Sequence, residues 1–171
     1  MGHMNNPSIR LILADIRSSL NVGAILRTAD ATGVELVYAC GYTPYPHTGH
    51  DERPPHVSDA NHRAIAKTAL GAEETIAVRH LPDTLAALRE ARSDGFKIIV
   101  VEQAERSLNL YRYRQTDPIA LVLGNEVTGV DQAVIDSADT VLELPMVGHK
   151  ESLNVSVTAG IVLYQLRFGS N

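Results

Sequence analysis

Three short segments combine residue types that bind ligands and act in catalysis. The first, residues 21–28, contains Arg27, and the second, residues 123–129, contains Glu126. The third spans residues 144–154 and ends in a polar run. A fixed guanidinium can stabilise developing negative charge, a carboxylate can hold a proton, and glycines let a backbone approach a ligand. Each segment alone could also be a helix cap, a solvated charge or an ordinary turn.

Other ligand-binding patterns are absent from the sequence. No G-x-G-x-x-G follows the first apolar run and there is no Walker A lysine motif, which argues against dinucleotide hydride transfer and nucleotide hydrolysis. Four histidines lie close together but lack a cysteine partner or the spacing of a helical zinc motif: His47, His50, His56 and His62. We therefore predict no metal.

Apolar runs that alternate with amphipathic stretches position these segments. Strands are predicted at 9–14, 34–39, 75–78, 96–101, 119–123 and 140–144, and helices at 22–29, 60–70 and 83–92. Four prolines predict a long surface loop over 41–61, whereas 152–168 combine strand-like alternation with helical spacing, and pattern alone leaves both open. The alternation predicts an α/β fold, a parallel sheet with helices on both faces, whose site lies outside the carboxyl ends of the strands.

Length and composition limit the class of protein. The 171 residues predict one domain, residues 5–171, after a tag remnant at residues 1–4. A single cysteine excludes a disulfide scaffold and fits a reducing cytoplasm. No apolar run reaches membrane-spanning length, so no membrane partner is predicted. The net charge of −5 means that a nucleic-acid partner would need a local basic face.

The three segments together resemble the three motifs of the SpoU/TrmH-type RNA 2′-O-methyltransferases of the SPOUT superfamily. The matching patterns are N-x-G-x-x-x-R-T-A at 21–29, L-G-N-E-x-x-G at 123–129 and L-P-M-x-G-x-x-x-S-L-N-V-S-V at 144–157. Their order and spacing match, and the resemblance spans residues 9–168. It implies a parallel sheet with a C-terminal trefoil knot, a final helix over 153–168, and a homodimer in which Ser156, Ala159 and Gly160 allow close packing near the site.

The resemblance also implies a cofactor, S-adenosylmethionine, and a reaction, methyl transfer to a ribose 2′-oxygen. The residues that match the family's cofactor site are Val101, Glu102, Gln103, Leu123, Gly124, Leu144, Met146, Ser152, Leu153 and Asn154. Arg27 matches the catalytic arginine, and the residues that match its supporting group are Asn21, Glu126, Ser152 and Asn154. Because a guanidinium is effectively always protonated, stabilisation of an alkoxide is easier to defend for Arg27 than a role as base, although both stay open.

The implied partner is structured RNA, tRNA rather than rRNA, and the sequence identifies neither the RNA nor the nucleotide. The candidate RNA contacts form a possible basic rim: Arg17, Arg53, His56, Arg63 and Lys67. A solvated loop without function explains the 41–61 segment equally well. Two other functions stay open, a catalytically silent RNA-binding relative and a base-nitrogen RNA methyltransferase, and Arg27 in the first motif disfavours the latter.

Overall fold

The computed structural model describes residues 7–169, so the expected tag remnant at 1–4 lies outside the described residues. Seven strands form one sheet: β1 Ile9–Ala14, β2 Leu36–Cys40, β3 Val78–Leu81, β4 Lys97–Val101, β5 Leu108–Asn109, β6 Ile119–Leu123 and β7 Thr140–Glu143. Six α-helices accompany them within this range: α1 Ser19–Ala31, α2 Pro55–Ala69, α3 Ala72–Thr75, α4 Thr84–Ser93, α5 Gln132–Ser137 and α6 Val155–Phe168. A 3₁₀ turn covers Leu110–Arg112.

All strand pairs of the sheet are parallel, in the order β3-β2-β1-β6-β4-β7-β5. The central strands β1 and β6 are buried and, apart from Arg10 in β1, apolar, because helices cover both sheet faces. One core cluster joins the sheet to α1, α2, α3 and α6, and the other joins it to α4 and α5. The predicted α/β class, with a parallel sheet between two helical layers, is confirmed.

Several predicted boundaries in the first half of the chain are wrong, two of them for identifiable physical reasons. Residues 72–75 form α3, and the strand predicted at 75–78 lies at Val78–Leu81 instead. This edge strand carries the exposed side chains of Arg79 and His80, so it shows no apolar run. The predicted 41–61 loop ends at Pro54, because Pro55 occupies the first turn of α2, where its fixed φ and missing N–H suit a helix start.

The C-terminal segment forms a helix, as the family resemblance implies. Asn154 caps α6, and its Oδ1 accepts a hydrogen bond of 2.8 Å from the Ser156 N–H. Ala159 is fully buried in the chain's own core, so the expectation that it packs against a second copy is wrong. Gly160 faces open space. The trefoil knot and the homodimer stay predictions. No helix within residues 7–169 is long and apolar enough to cross a membrane.

Candidate active site

The carboxyl ends of β1, β6, β4 and β7 lie side by side and bring the three polar segments together. Leu123 at the end of β6 is in register with Leu13 of β1 and with Val101 of β4. Val101 in turn is in register with Leu142 of β7. The chain that follows each strand therefore emerges at one edge of the sheet, which is where open α/β sheets place their ligands.

A cavity of about 430 Å³ opens at this edge. Every residue predicted to bind the cofactor lines it except Asn154, which caps α6 beside it. The buried Leu144 and the half-buried Met146 provide apolar wall, while Ser152 and the turn after β6 provide polar groups. The sequence motifs therefore identify the residues of a real cavity.

The turn after β6 is compact, and this explains its first glycine. A Cβ atom on Gly124 would lie 2.5 Å from Val130 Cγ2 and 2.7 Å from the carbonyl carbon of Gly129. Gly129 itself has a φ of +70°, which favours glycine. Gly124 is thus required by the packing of the turn on itself, in addition to any close approach of a ligand.

Asn125 connects this turn by hydrogen bonds to the segments at Asp15 and Tyr42. The sequence does not predict this role. Its Nδ2 donates to the Asp15 carbonyl and to the Tyr42 hydroxyl, both at 2.7 Å. Its Oδ1 accepts the N–H groups of Val127 and Thr128 at 2.8 and 2.9 Å. An asparagine directly after a strand is a turn signal. Its partners at 15 and 42, however, are visible only in the fold.

Glu102 and Gln103, at the end of β4, brace the cavity walls. Glu102 Oε2 accepts the Val130 N–H at 3.1 Å, and a Cβ on Gly129 would overlap the same carboxylate. Gln103 Nε2 donates to the Glu151 carbonyl at 2.6 Å. These side chains join β4 to the second and third motifs and hold the shape of the cavity.

Three predicted catalytic residues form a hydrogen-bonded chain at the cavity rim. Asn154 Nδ2 donates to Asn21 Oδ1 at 3.1 Å, and Asn21 Nδ2 donates to Glu126 Oε1 at 2.9 Å. Glu126 also accepts the backbone N–H groups of Arg17 at 3.0 Å and Ser18 at 3.3 Å, where α1 begins. One residue from each motif is therefore fixed relative to the other two.

The pKa of Glu126 reflects these contacts. Partial burial acts to raise its pKa, whereas hydrogen bonds from the Arg17 N–H and the Asn21 amide act to lower it, and the net pKa lies below the ordinary value of 4.5. The carboxylate is ionised at neutral pH. It therefore acts as an acceptor of hydrogen bonds at the start of α1, where the helix dipole favours negative charge.

Arg27 stands apart from this chain. It lies six residues beyond Asn21 on α1, which corresponds to a rise of about 9 Å. Its side chain is exposed and makes no hydrogen bond or ion pair with any part of residues 7–169, and it does not line the cavity. Ser152 lines the cavity without a side-chain hydrogen bond inside the described range. The structure therefore brings Ser152 to the cavity but leaves Arg27 free on the surface.

Gly23 of the first motif has a structural explanation. A Cβ atom on Gly23 would overlap the Ile65 carbonyl oxygen and the Thr68 hydroxyl of α2. The Thr68 hydroxyl also donates to the Leu20 carbonyl at 2.8 Å. The glycine thus allows α2 to pack directly on the first turns of α1, and α2 carries three of the predicted RNA contacts.

The predicted RNA contacts separate into two groups. Arg53 is engaged within the 41–54 loop: it donates to Asp51, to the carbonyls of Tyr45 at 2.7 Å and Pro46 at 2.9 Å, and lies 3.5 Å above the Tyr45 ring. The Arg53 hydrogen bonds hold the pKa of Asp51 well below its usual range. Arg53 therefore stabilises the loop. The others are exposed and have no side-chain partner within 7–169: Arg17, His56, Arg63 and Lys67.

One cluster of possible metal ligands is formed by His62, Glu73 and Glu74, whose ligand atoms lie within 4.8 Å of one another. His62 Nδ1 accepts the His47 N–H at 3.3 Å, so Nε2 carries the proton and faces Glu74 at 3.3 Å. A ligating histidine instead uses the lone pair of one nitrogen and donates from the other. These contacts favour a hydrogen bond from His62 to Glu74 over a metal site.

Comparison with protein families matches residues 52–164, more than half of the chain, to the SpoU rRNA Methylase family. The chain is 34% identical over 165 residues to the 23S rRNA (guanosine-2′-O-)-methyltransferase of Neisseria meningitidis serogroup B, covering 96% of this chain and 60% of that protein. It is 30% identical over 156 residues to the tRNA (guanosine(18)-2′-O)-methyltransferase of Aquifex aeolicus, and this match covers 91% of this chain and 67% of that protein. The chain thus spans only part of its curated relatives.

Solved structures show the same fold. The A. aeolicus TrmH/SpoU tRNA modifying enzyme superposes with a TM-score of 0.75 at 27% identity, over 95% of this chain and 75% of that one. An AdoMet-bound rRNA methyltransferase from Sinorhizobium meliloti superposes with a TM-score of 0.76 at 24% identity, over 96% and 57%.

Proposed function

The chain belongs to the SpoU rRNA Methylase family, and from this premise we propose that it transfers the methyl group of S-adenosylmethionine to a ribose 2′-oxygen of structured RNA. One observation carries the proposal. The cavity at the carboxyl edge of the sheet shares Glu126 with the hydrogen-bonded chain of Asn21 and Asn154. A ligand site and a rigid polar rim therefore adjoin each other.

The cavity fits the cofactor. Its volume of about 430 Å³ falls within the roughly 300–1,000 Å³ range of small-molecule sites. Leu144 and Met146 offer apolar surface to an aromatic base, and the segments around Gly124 and Ser152 offer polar groups. When bound there, the cofactor supplies a methyl group on a positively charged sulfur.

The residues of the rim and of α1 would then serve the acceptor. The amides of Asn21 and Asn154 are held by each other and by Glu126, so they can orient a ribose without first reorganising. Arg27, which stays protonated, would grip the acceptor nucleotide and stabilise negative charge on its 2′-oxygen. The RNA would therefore extend from the rim along the exposed surface of α1.

The basic surface beside α1 supports RNA as the partner. His56, Arg63 and Lys67 follow one another at intervals of seven and four residues, which places them along one face of α2. Arg17 lies at the start of α1. In a chain of net charge −5, Arg17, Arg63 and Lys67 place positive charge where the phosphates of RNA would pass, and the exposed His56 ring lies on the same helix as the last two.

A homodimer and a cytoplasmic location complete the proposal. The outer face of α6 exposes large apolar side chains in one stripe: Val157, Tyr164 and Phe168. Such a stripe on a surface helix is typical of a protein interface, and a second copy covering it would widen the platform for RNA.

The cytoplasm offers RNA substrates and keeps the unpaired Cys40 reduced.

We propose tRNA rather than rRNA as the substrate. The relatives include a tRNA methyltransferase at 30% identity and an rRNA methyltransferase at 34% identity. The test incubates the full chain with isotope-labelled S-adenosylmethionine and unmodified tRNA or rRNA, followed by mass spectrometry of the nucleosides. We expect a 2′-O-methylnucleoside from tRNA.

A methylated base would instead identify a base-nitrogen methyltransferase. If S-adenosylhomocysteine bound in calorimetry but no RNA became labelled, the chain would be a catalytically silent relative. Absence of cofactor binding by folded protein would overturn the proposed function as a whole.

A further inference from the structure

The segment from Tyr111 to Arg114 alternates aromatic and basic residues, and the site described above does not use it. Tyr111, Arg112 and Arg114 are exposed, with 58% of Tyr111 accessible. The guanidinium groups of Arg112 and Arg114 make no hydrogen bond or ion pair inside the described range. These three side chains are called the aromatic-basic strip below.

The strip is held by residues that point inward. Leu110 is fully buried, and Tyr113 is partly buried and packs against the same core cluster. Asn109 Oδ1 accepts the Tyr111 N–H at 2.9 Å, and the Leu110 carbonyl accepts the Tyr113 N–H at 3.1 Å. Inward anchors thus alternate with outward side chains, so the strip is presented on a fixed backbone.

No carboxylate in the described part of the chain pairs with the arginines of the strip. The nearest carboxylate along the chain, Asp117, pairs with Lys97 at 2.8 Å and accepts the Thr116 hydroxyl at 3.0 Å. Arg112 and Arg114 therefore form a local basic site on a chain of net charge −5.

The strip starts beside the cavity and leads away from it, because Gln115, the residue after it, donates to the Pro7 carbonyl just before β1. Asn109, which precedes it, is in register with Glu143 of β7, and Glu143 lines the cavity. The 3₁₀ turn at 110–112 packs against α6, whose first turn also lines the cavity. A polymer bound at the cavity rim could thus continue onto the strip.

We propose that the aromatic-basic strip is an RNA-binding surface, on which an unpaired base stacks against Tyr111 while Arg112 and Arg114 contact the flanking phosphates. Exposed aromatic rings beside arginines are the usual means of holding unpaired nucleotides. The inference rests on the proposed function only in taking RNA as the partner, because binding to the strip needs neither cofactor nor catalysis.

The test measures binding of a fluorescently labelled, unmodified tRNA transcript by anisotropy, without cofactor, over a range of salt concentrations. The Arg112→Ala/Arg114→Ala variant should bind about tenfold or more weakly, and its plot of log affinity against log salt should be shallower by roughly 1.4 to 1.8, the loss of two phosphate contacts. Tyr111→Ala should weaken binding about fivefold or more, whereas Tyr111→Phe, which keeps the ring, should bind like the wild type.

Arg89→Ala is the matched control, because Arg89 is exposed and without a partner in the described part of the chain but lies on α4, across the sheet. The proposal would be overturned if the double variant kept the wild-type slope of log affinity against log salt. It would also be overturned if Tyr111→Ala and Tyr111→Phe lost equal amounts of RNA affinity. Dissociation of a dimer by Tyr111→Ala would overturn it too, because it would identify an interface between copies. If the wild type methylates RNA and the strip variants bind it normally, only this inference fails. If the wild type binds no RNA, the proposed function fails with it.

Discussion

Arg27 is the one predicted catalytic residue whose side chain contacts neither the cavity nor another site residue in the described range. We expect Arg27→Ala to leave the affinity for S-adenosylhomocysteine unchanged and to slow single-turnover methyl transfer to RNA by about 100-fold or more. Arg27→Lys should not restore transfer, since lysine lacks the planar fork. Calorimetry and single-turnover assays make the comparison. If the Arg27→Ala variant kept more than about a third of the wild-type rate, Arg27 would be a surface charge without a catalytic role.

Glu126 links two motifs through its charge, so its contribution to stability should depend on pH. Its pKa is lowered in the folded state. A lowered pKa means that the stabilisation is fully present above the unfolded value of about 4.5 and is lost as pH falls through the folded pKa. Glu126→Gln should lower Tm at pH 7 by about 2–4 °C, or roughly 1 kcal/mol for a partly solvated carboxylate.

Below pH 4 the Tm difference between Glu126→Gln and the wild type should shrink, and thermal unfolding followed by circular dichroism at several pH values measures it. Glu105→Gln provides a control at another exposed carboxylate, one without a partner in the described part of the chain. A difference that stayed constant from pH 7 to pH 3 would show that the charge of Glu126 does not stabilise the fold.

At the level of elements, the contact between α1 and α2 depends on Gly23. An alanine there would push its Cβ into the Ile65 carbonyl, which is backbone and cannot move aside alone. We expect Gly23→Ala to cost about 1–3 kcal/mol, the usual cost of overpacking, and to reduce RNA affinity because α2 shifts. Chemical denaturation checks the first effect. Gly49→Ala, where nothing lies within 4 Å of the new Cβ, should be close to neutral.

The elements that the sequence predicts most accurately are the strands whose residues are almost all apolar. The predicted bounds of strands β1 and β6 are confirmed, because burial on both faces makes β6 a continuous apolar run and leaves Arg10 as the one polar residue of β1. Strand β3 was displaced because it is an edge strand with polar side chains. The predicted start of α2 is wrong because prolines usually interrupt regular structure, whereas Pro55 opens this helix.

The candidate site also has parts that the sequence predicts and parts that only the structure shows. The predicted strand ends indicate that the three segments meet, because backbone segments that follow neighbouring parallel strands share one edge of the sheet, whereas the individual wall residues are those that the family resemblance implies. Neither source reveals the contact of Asn125 with Tyr42 or that of Arg53 with the Tyr45 carbonyl, because both depend on how the 41–54 loop folds back. Local sequence holds no record of such pairings.

For the whole molecule, we expect a homodimer of about twice 18.5 kDa in light scattering at micromolar concentration. Tyr164→Arg, on the exposed face of α6, should shift the protein towards monomer by placing a charge in the interface. Leu85→Arg on α4 is a control at a similarly exposed apolar position. A wild-type monomer at these concentrations would exclude this interface and leave the outer face of α6 unexplained.

The order of strands in the sheet also bears on how the chain is made. Ile9 of β1 pairs with Ile119 of β6, so a ribosome that adds about 5–20 residues per second leaves one side of β1 unpaired for roughly 5–20 s. During that interval an apolar strand edge is open to other chains. Nascent chains that stop before β6 should therefore aggregate or occupy chaperones, and slow translation between β2 and β6 would lengthen the period of risk.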